Sequence, residues 1–122
     1  MSNYHSEFKK KCVSASTAVK AVKSNDWVAY SHFAMFPETL DVALSLRAKE
    51  LTDVKVKTST AMRPVKVAEC DPNQNSFIYN SSFFSKHDRR LGDKGLAYYI
   101  PGNFYEEVNY LKNQHTARPN VA

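Results

Sequence analysis

The stretch Asn80–Val108, NSSFFSKHDRRLGDKGLAYYIPGNFYEEV, decides the fold. Within it, Ser81 or Ser82 reads as the cap of a helix beginning at Phe83 and Phe84, because a serine hydroxyl can accept a hydrogen bond from a first-turn amide. Lys86, His87, Asp88, Arg89 and Arg90 give that helix a solvated face. Gly92 and Gly95 are placed to end it, since glycine tolerates the left-handed backbone found there. Leu96–Ile100 follows as a short apolar strand, and Pro101-Gly102-Asn103 is a turn into the next helix. Phe77-Ile78-Tyr79 supplies an apolar strand just before the stretch. Strand, helix, strand and helix in so few residues imply a parallel α/β sheet with loops at its edge.

The same alternation extends toward the amino terminus. Val54, Val56 and Thr58 alternate with Lys55, Lys57 and Ser59, the pattern of a strand. Before it, Pro37 suits a first helical turn, and Leu40, Ala43, Leu44, Arg47, Ala48 and Leu51 trace an amphipathic helix with only Arg47 interrupting the apolar face. Trp27–Tyr30 reads as the first buried strand. A helix between two short strands requires a right-handed crossover, so the strands near 27–31 and 54–59 should be parallel neighbours. Ser14 is placed to cap a short helix with Ala18, Val19 and Val22 on one side. Met62–Pro72 is a less regular connection, limited by Pro64 and Asp71-Pro72. The expected fold is therefore α/β, an open, mainly parallel sheet with flanking helices and strands near 27–31, 54–59, 76–80 and 96–100. Residues 1–12 are a polar lead-in without periodicity, and 13–122 form one domain. Arg118–Ala122 reads as the approach to another strand, so this domain is expected to be truncated before a carboxy-terminal one.

Composition narrows the function classes. The chain has 122 residues, 43% of them hydrophobic, enough for a core, although a domain of this size buries only about two thirds of its unfolded surface. Its net charge is +5, but the 17 lysines and arginines are spread along the chain. Scattered basic residues make a solvated surface, and without a recognition motif no nucleic-acid partner is expected. No apolar run reaches the length of a membrane span. Lys9-Lys10-Lys11 leads into polar sequence, unlike a secretory signal. Cys12 and Cys70 lack CxxC spacing, so neither zinc nor a disulfide framework is indicated, and a reduced, cytoplasmic setting is expected. His32, His87 and His115 have no ligand spacing; no metal site is assigned.

In open α/β sheets ligands bind beyond the carboxyl ends of the strands. Those ends fall at His32–Met35, Ser59–Arg63, Asn80–Phe84 and Pro101–Phe104. Asn80, Ser81 and Ser82 offer an amide and two hydroxyls beside Phe83 and Phe84. Ser59 can donate to an acyl or carboxylate oxygen, Met62 can form a pocket wall, and Asn103 lies in the last turn. These residues, Ser59, Met62, Asn80, Ser81, Ser82 and Asn103, are the candidate substrate-binding set. Each has a plainer reading beside it: a helix cap for Ser81 or Ser82, an ordinary strand-end hydroxyl for Ser59, loop filler for Met62.

Several of these segments resemble one family. Asn80-Ser81, the FSxxDRxLxDKG pattern from Phe84 to Gly95, Tyr99-Ile100-Pro101, Met62-Arg63-Pro64, Asp71-Pro72 and VSASTAVKAVKSNDWVAY (Val13–Tyr30) resemble, in order and spacing, the amino-terminal half of butyryl-CoA and 4-hydroxybutyrate CoA-transferases. These lie in the wider acetyl-CoA hydrolase/transferase family, and the likeness runs from about Lys11 onward. The resemblance implies a ping-pong reaction through a glutamyl-CoA thioester, with coenzyme A as a substrate and no permanently bound cofactor. It implies as partners an acyl-CoA, a short-chain carboxylate such as acetate, and either a carboxy-terminal CoA-transferase domain or a homo-oligomer. In the family the glutamate and the glycine-rich CoA loop lie in the carboxy-terminal half. This chain has three glycines, none in a phosphate-cradling cluster, and Glu38, Glu50, Glu69, Glu106 and Glu107 match no catalytic position. No catalytic residue is therefore assigned, and the chain alone is expected to be inactive. The sequence departs from the family in two places. Ser31-His32-Phe33-Ala34-Met35 stands where relatives have glycines, and Ser82-Phe83 where they carry Trp-His. A non-catalytic CoA-transferase-like binding or assembly module is the competing reading, with a basic nucleic-acid-binding domain a distant third.

Overall fold

The computed structural model of the chain describes residues 4–112 and 118–122. Four strands form its sheet: β1 (Trp27–Ala29), β2 (Val54–Thr58), β3 (Phe77–Ser81) and β4 (Tyr98–Tyr99). They lie in the order β1-β2-β3-β4, and every pairing is parallel. The open parallel sheet read from the sequence is thus the observed architecture. β4 is shorter than the apolar run suggested, because Leu96 and Ala97 turn to pack against the core instead of pairing.

Side chains alternate along a strand, so in-register residues of neighbouring strands share a face. Val28, Val56 and Tyr79 are in register, and with Val54 and Phe77 they make one face. That face is the core. Leu44 of α3 (Glu38–Ser45), Val67 and Ala68 of α4 (Lys66–Glu69) and Leu91 of α5 (Lys86–Gly92) pack on it. The other face carries Trp27, Ala29, Lys55, Lys57, Ile78 and Asn80, none of which joins the hydrophobic core. Trp27, Ala29, Lys55 and Ile78 are only half-buried. Parallel sheets are ordinarily covered on both faces, and this one is thinly clad on its second.

The local chemistry explains most helix boundaries. Ser14 caps α2 (Ala15–Ala18) by accepting from the Thr17 amide, as its sequence suggests. A 3-10 turn follows and buries Val19. Arg47, the one polar break in the apolar stripe after Pro37, donates to the carbonyls of Val19 and Val22, binding this turn to the residues after α3. The helix after β3 starts later than Phe83. Ser82 and Phe83 still donate backbone hydrogen bonds to Thr58 and Ser59 (3.1 and 2.7 Å), so their backbone belongs to the sheet. Ser85 is the cap: its hydroxyl accepts from His87 and Asp88 amides while the Asp88 carboxylate accepts from the Ser85 amide at 2.7 Å. This is a reciprocal capping box built on aspartate. Gly95, at φ +71°, takes the left-handed conformation that closes the helix, with the Leu96 amide bonded to the Leu91 carbonyl at 2.8 Å.

Two terminal segments complete the description. The lead-in read as aperiodic forms a helix, α1 (Tyr4–Lys11), with no buried residue; a Glu7–Lys11 ion pair at 2.7 Å supports it locally. Val121 makes a parallel bridge to Val28 along the free edge of β1, and the Asn120 side chain accepts from the Trp27 amide and donates to Asp26. After β4 a 3-10 turn, Phe104–Glu106, leads into α6 (Glu107–Lys112). Among the described residues no helix is long and apolar enough to cross a membrane.

Candidate functional site

The parallel strands deliver their carboxyl ends to one edge, where β2 ends at Thr58-Ser59, β3 at Asn80–Ser82 and β4 runs into Gly102-Asn103. Ser59, Ser82 and Asn103 line a common pocket there, floored by Lys57 and roofed by Phe104, Glu107 and Tyr110. The space left is about 10 Å³, room for roughly one water.

The remaining sequence candidates lie elsewhere. Ser81 is fully buried, and its hydroxyl donates toward the carbonyls of Ser59 (3.1 Å) and Phe83 (3.2 Å). The Asn80 amide donates to the Ile78 carbonyl at 3.1 Å and is 3.5 Å from that of Val56. Both side chains are occupied in fixing the strand ends. Met62 is exposed and belongs to a separate cavity of about 370 Å³ with Phe33, Phe36, Glu38 and Arg63. The Arg63 guanidinium lies 3.9 Å from Glu38. Phe33, within the segment that departs from the family pattern, sits at φ +54°, a region a bulky side chain rarely occupies. Its amide donates to Thr60 at 3.2 Å and it bridges Ala61, contacts that hold the conformation in place.

Four further residues at the candidate site, Lys57, His32, Glu107 and Tyr110, were not in the candidate set from the sequence. Lys57 is only 8% exposed, and its ammonium lies 6.0 Å from the centroid of the Tyr110 ring. His32 Nδ1 accepts from the Ser59 amide at 2.9 Å, which leaves Nε2 facing the Glu107 carboxylate at 3.2 Å. With Nδ1 an acceptor, the ring proton resides on Nε2 and is donated to Glu107. The Tyr110 hydroxyl donates to Glu106 at 3.2 Å, an interaction that raises its pKa. The sequence held no specific signal for Lys57, since Lys55 lies in the same strand and on the same face yet is only half-buried. Nothing in the spacing of His32 and Glu107 announces their pairing.

Two buried tyrosine–aspartate pairs brace the core side of the sheet. Tyr79 donates to Asp88 at 2.7 Å, and the other carboxylate oxygen accepts from Ala61 and Ser85 amides, tying the loop after β2 to the start of α5. Tyr30 donates to Asp41 at 3.2 Å, and Asp41 accepts from the Lys66 and Val67 amides, capping α4 from α3. Burial pushes both phenols well above their ordinary range. It raises the Asp41 carboxyl too, against the pull of its amide partners. Phe83 and Phe104, which line the pocket, are exposed, as are Tyr98, Tyr99 and Tyr105 in the same stretch of chain. Phe84 packs edge-on to Tyr99 at 5.4 Å. Cys12 and Cys70 are free thiols. Among the described residues no group of three or more histidine, cysteine or acidic side chains gathers.

Comparison with known proteins adds the family. The Acetyl-CoA hydrolase/transferase N-terminal domain matches residues 1–118. The chain is 32% identical over 111 residues to a butyryl-CoA:acetate CoA-transferase of Anaerostipes caccae, covering 91% of this chain and 25% of that one. It is 40% identical over 100 residues to a probable butyrate:acetyl-CoA coenzyme A-transferase of Syntrophomonas wolfei, covering 82% and 22%. The chain thus spans about a quarter of the length of these relatives. In fold it is similar to RipA from Yersinia pestis, with a TM-score of 0.75 at 20% identity, over 95% of this chain and 29% of that one. A point mutant of RipA superposes with a TM-score of 0.77, also at 20% identity, over 95% of this chain and 28% of that one.

Proposed function

The chain belongs to the acetyl-CoA hydrolase/transferase family, whose amino-terminal domain it carries, and from that premise we propose that it forms part of the acyl pocket of an acyl-CoA:carboxylate CoA-transferase. The donor is butyryl-CoA or 4-hydroxybutyryl-CoA and the acceptor acetate. The observation that carries the reading is the gathering of Ser59, Ser82 and Asn103 at the carboxyl ends of adjacent parallel strands, where α/β sheets bind ligands. In this reading a glutamate carboxylate outside the chain attacks the thioester carbonyl and expels CoA thiolate, leaving a mixed anhydride. The thiolate then attacks the glutamyl carbonyl, releasing the first acid and forming the glutamyl-CoA thioester. Acetate reverses these steps and leaves as acetyl-CoA. Ser59, Ser82 and Asn103 donate hydrogen bonds to the acyl or carboxylate oxygen, and Asn80 and Ser81 hold the strand ends that place them, while Met62, in its separate cavity, takes no part in this pocket. The partner is a carboxy-terminal CoA-transferase domain, and coenzyme A enters only as substrate. The setting is the cytoplasm, where Cys12 and Cys70 stay reduced.

Incubation of the chain alone with butyryl-CoA and acetate should give no acetyl-CoA above a no-protein control on chromatography. Adding the carboxy-terminal half should restore exchange, and Ser82→Ala in the restored enzyme should lower it. Turnover by the purified chain alone would contradict the assignment of the nucleophile to the other half. The closure of the pocket to roughly one water favours a second reading, a non-catalytic assembly module. A restored pair that assembles but never exchanges CoA selects that reading.

A further inference from the structure

Lys57 is more than nine-tenths buried on the thinly clad face of the sheet. Among the described residues no carboxylate lies within ion-pair distance of it. Its ammonium faces the ring of Tyr110. The covered stem fixes where the ammonium stands, and with no carboxylate paired to it there the charge is available to an anion that enters the pocket. Lys57 lines the same pocket as Ser59, Ser82 and Asn103, whose side chains can donate to carboxylate oxygens, the Asn103 amide with one proton already given to Glu106 at 2.9 Å. The pocket has a carboxylate of its own, Glu107, but this pairs with His32 at 3.2 Å and not with Lys57.

The cover over this site is loosely made. Neither the 3-10 turn at Phe104–Glu106 nor α6 buries a residue. They are tied to the strand ends by the His32–Glu107 pair, by the Phe104 ring edge-on to His32 at 6.4 Å, and by Tyr110 over Lys57. An element that buries nothing opens at small free-energy cost. Displacing α6 would make room beside Lys57 for an acid larger than water.

We propose that Lys57 binds the carboxylate of the acid substrate, in a site that α6 covers through the His32–Glu107 pair. The proposal rests on the CoA-transferase reading for the identity of the acid, and on Lys57 for the site. The test is an amide-resolved NMR titration of the chain with sodium acetate and, separately, inorganic phosphate, at constant ionic strength set with chloride. Acetate should shift the Ser59, Ser82 and Asn103 amides saturably. Lys57→Met keeps the stem and removes the charge, and should weaken that binding by about ten-fold or more. Glu107→Gln, on the cover, should tighten it by loosening the His32 pair. Absence of saturable shifts, acetate binding unchanged in Lys57→Met, or phosphate bound more tightly than acetate would each overturn the proposal. In the restored two-part enzyme, Lys57→Met should raise KM for the acid and leave KM for acyl-CoA alone; an unchanged acid KM sinks the site while the transferase reading stands. Lys57-dependent acetate binding in a pair that transfers no CoA leaves the site standing and removes the transferase reading.

Discussion

Asp88 shows how much of this domain rests on single buried carboxylates. It is fully buried and accepts from the Tyr79 hydroxyl and from the Ala61 and Ser85 amides. Asp88→Ala strands those donors away from water and should cost about 3 kcal/mol, whereas exposed Asp93→Ala should stay within about 0.5 kcal/mol; urea midpoints of the two variants decide it. Asp41 carries a pH signature as well. Burial raises its carboxyl above 3.8, so the folded chain holds that proton more firmly than the unfolded chain does. Its contribution to stability is fully present below the unfolded pKa and is lost as the pH rises through the raised folded value. An asparagine side chain cannot titrate, so the stability of the wild type minus that of Asp41→Asn should fall as the pH climbs from 3.8 upward and then level off. Urea melts across that range measure it, and a difference that grows with pH contradicts the assignment.

At the scale of elements, Gly95 closes α5 at φ +71° with nothing within 4 Å of where a Cβ would stand. Gly95→Ala should therefore cost only the left-handed backbone penalty, about 1 kcal/mol, and Gly95→Asn less; thermal unfolding of the pair separates strain from clash. Arg47→Met removes the donors to Val19 and Val22. It should cost about 1–2 kcal/mol and speed amide exchange around α2 while leaving β2 protected. The alternation of Val54, Val56 and Thr58 made β2 legible, because a period of two has no helical counterpart. The start of α5 was misread for a physical reason. Ser81, Ser82 and Ser85 are equally good caps by type, and only the pairing of Ser82 and Phe83 with the end of β2 selects the last. That pairing is a tertiary fact, although the Ser85…Asp88 spacing of the capping box was present in the sequence. In the site, strand-end position foretold the meeting of Ser59, Ser82 and Asn103. The burial of Lys57 and the His32–Glu107 contact depend on where α6 lies, which no local pattern encodes.

For the molecule as a whole, the second face of the sheet is the informative surface. Trp27, the single tryptophan, lies on that face half-buried. If the carboxy-terminal half docks there, acrylamide quenching of Trp27 should fall when that half is supplied, and an unchanged quenching constant would place the contact elsewhere. The order β1-β2-β3-β4 has a further consequence, for synthesis. Each strand emerging from the ribosome finds its neighbour already made, and a growing chain folds from its amino-terminal side as it appears. The first pairing, Trp27 with Lys55, closes a short span. The tie between Trp27 and Asn120 joins residues 93 apart, a loop whose closure costs about 1 kcal/mol more. The sheet can therefore be laid down strand by strand during translation, while the segment at Asn120-Val121 reaches its place beside β1 only after the rest has left the tunnel.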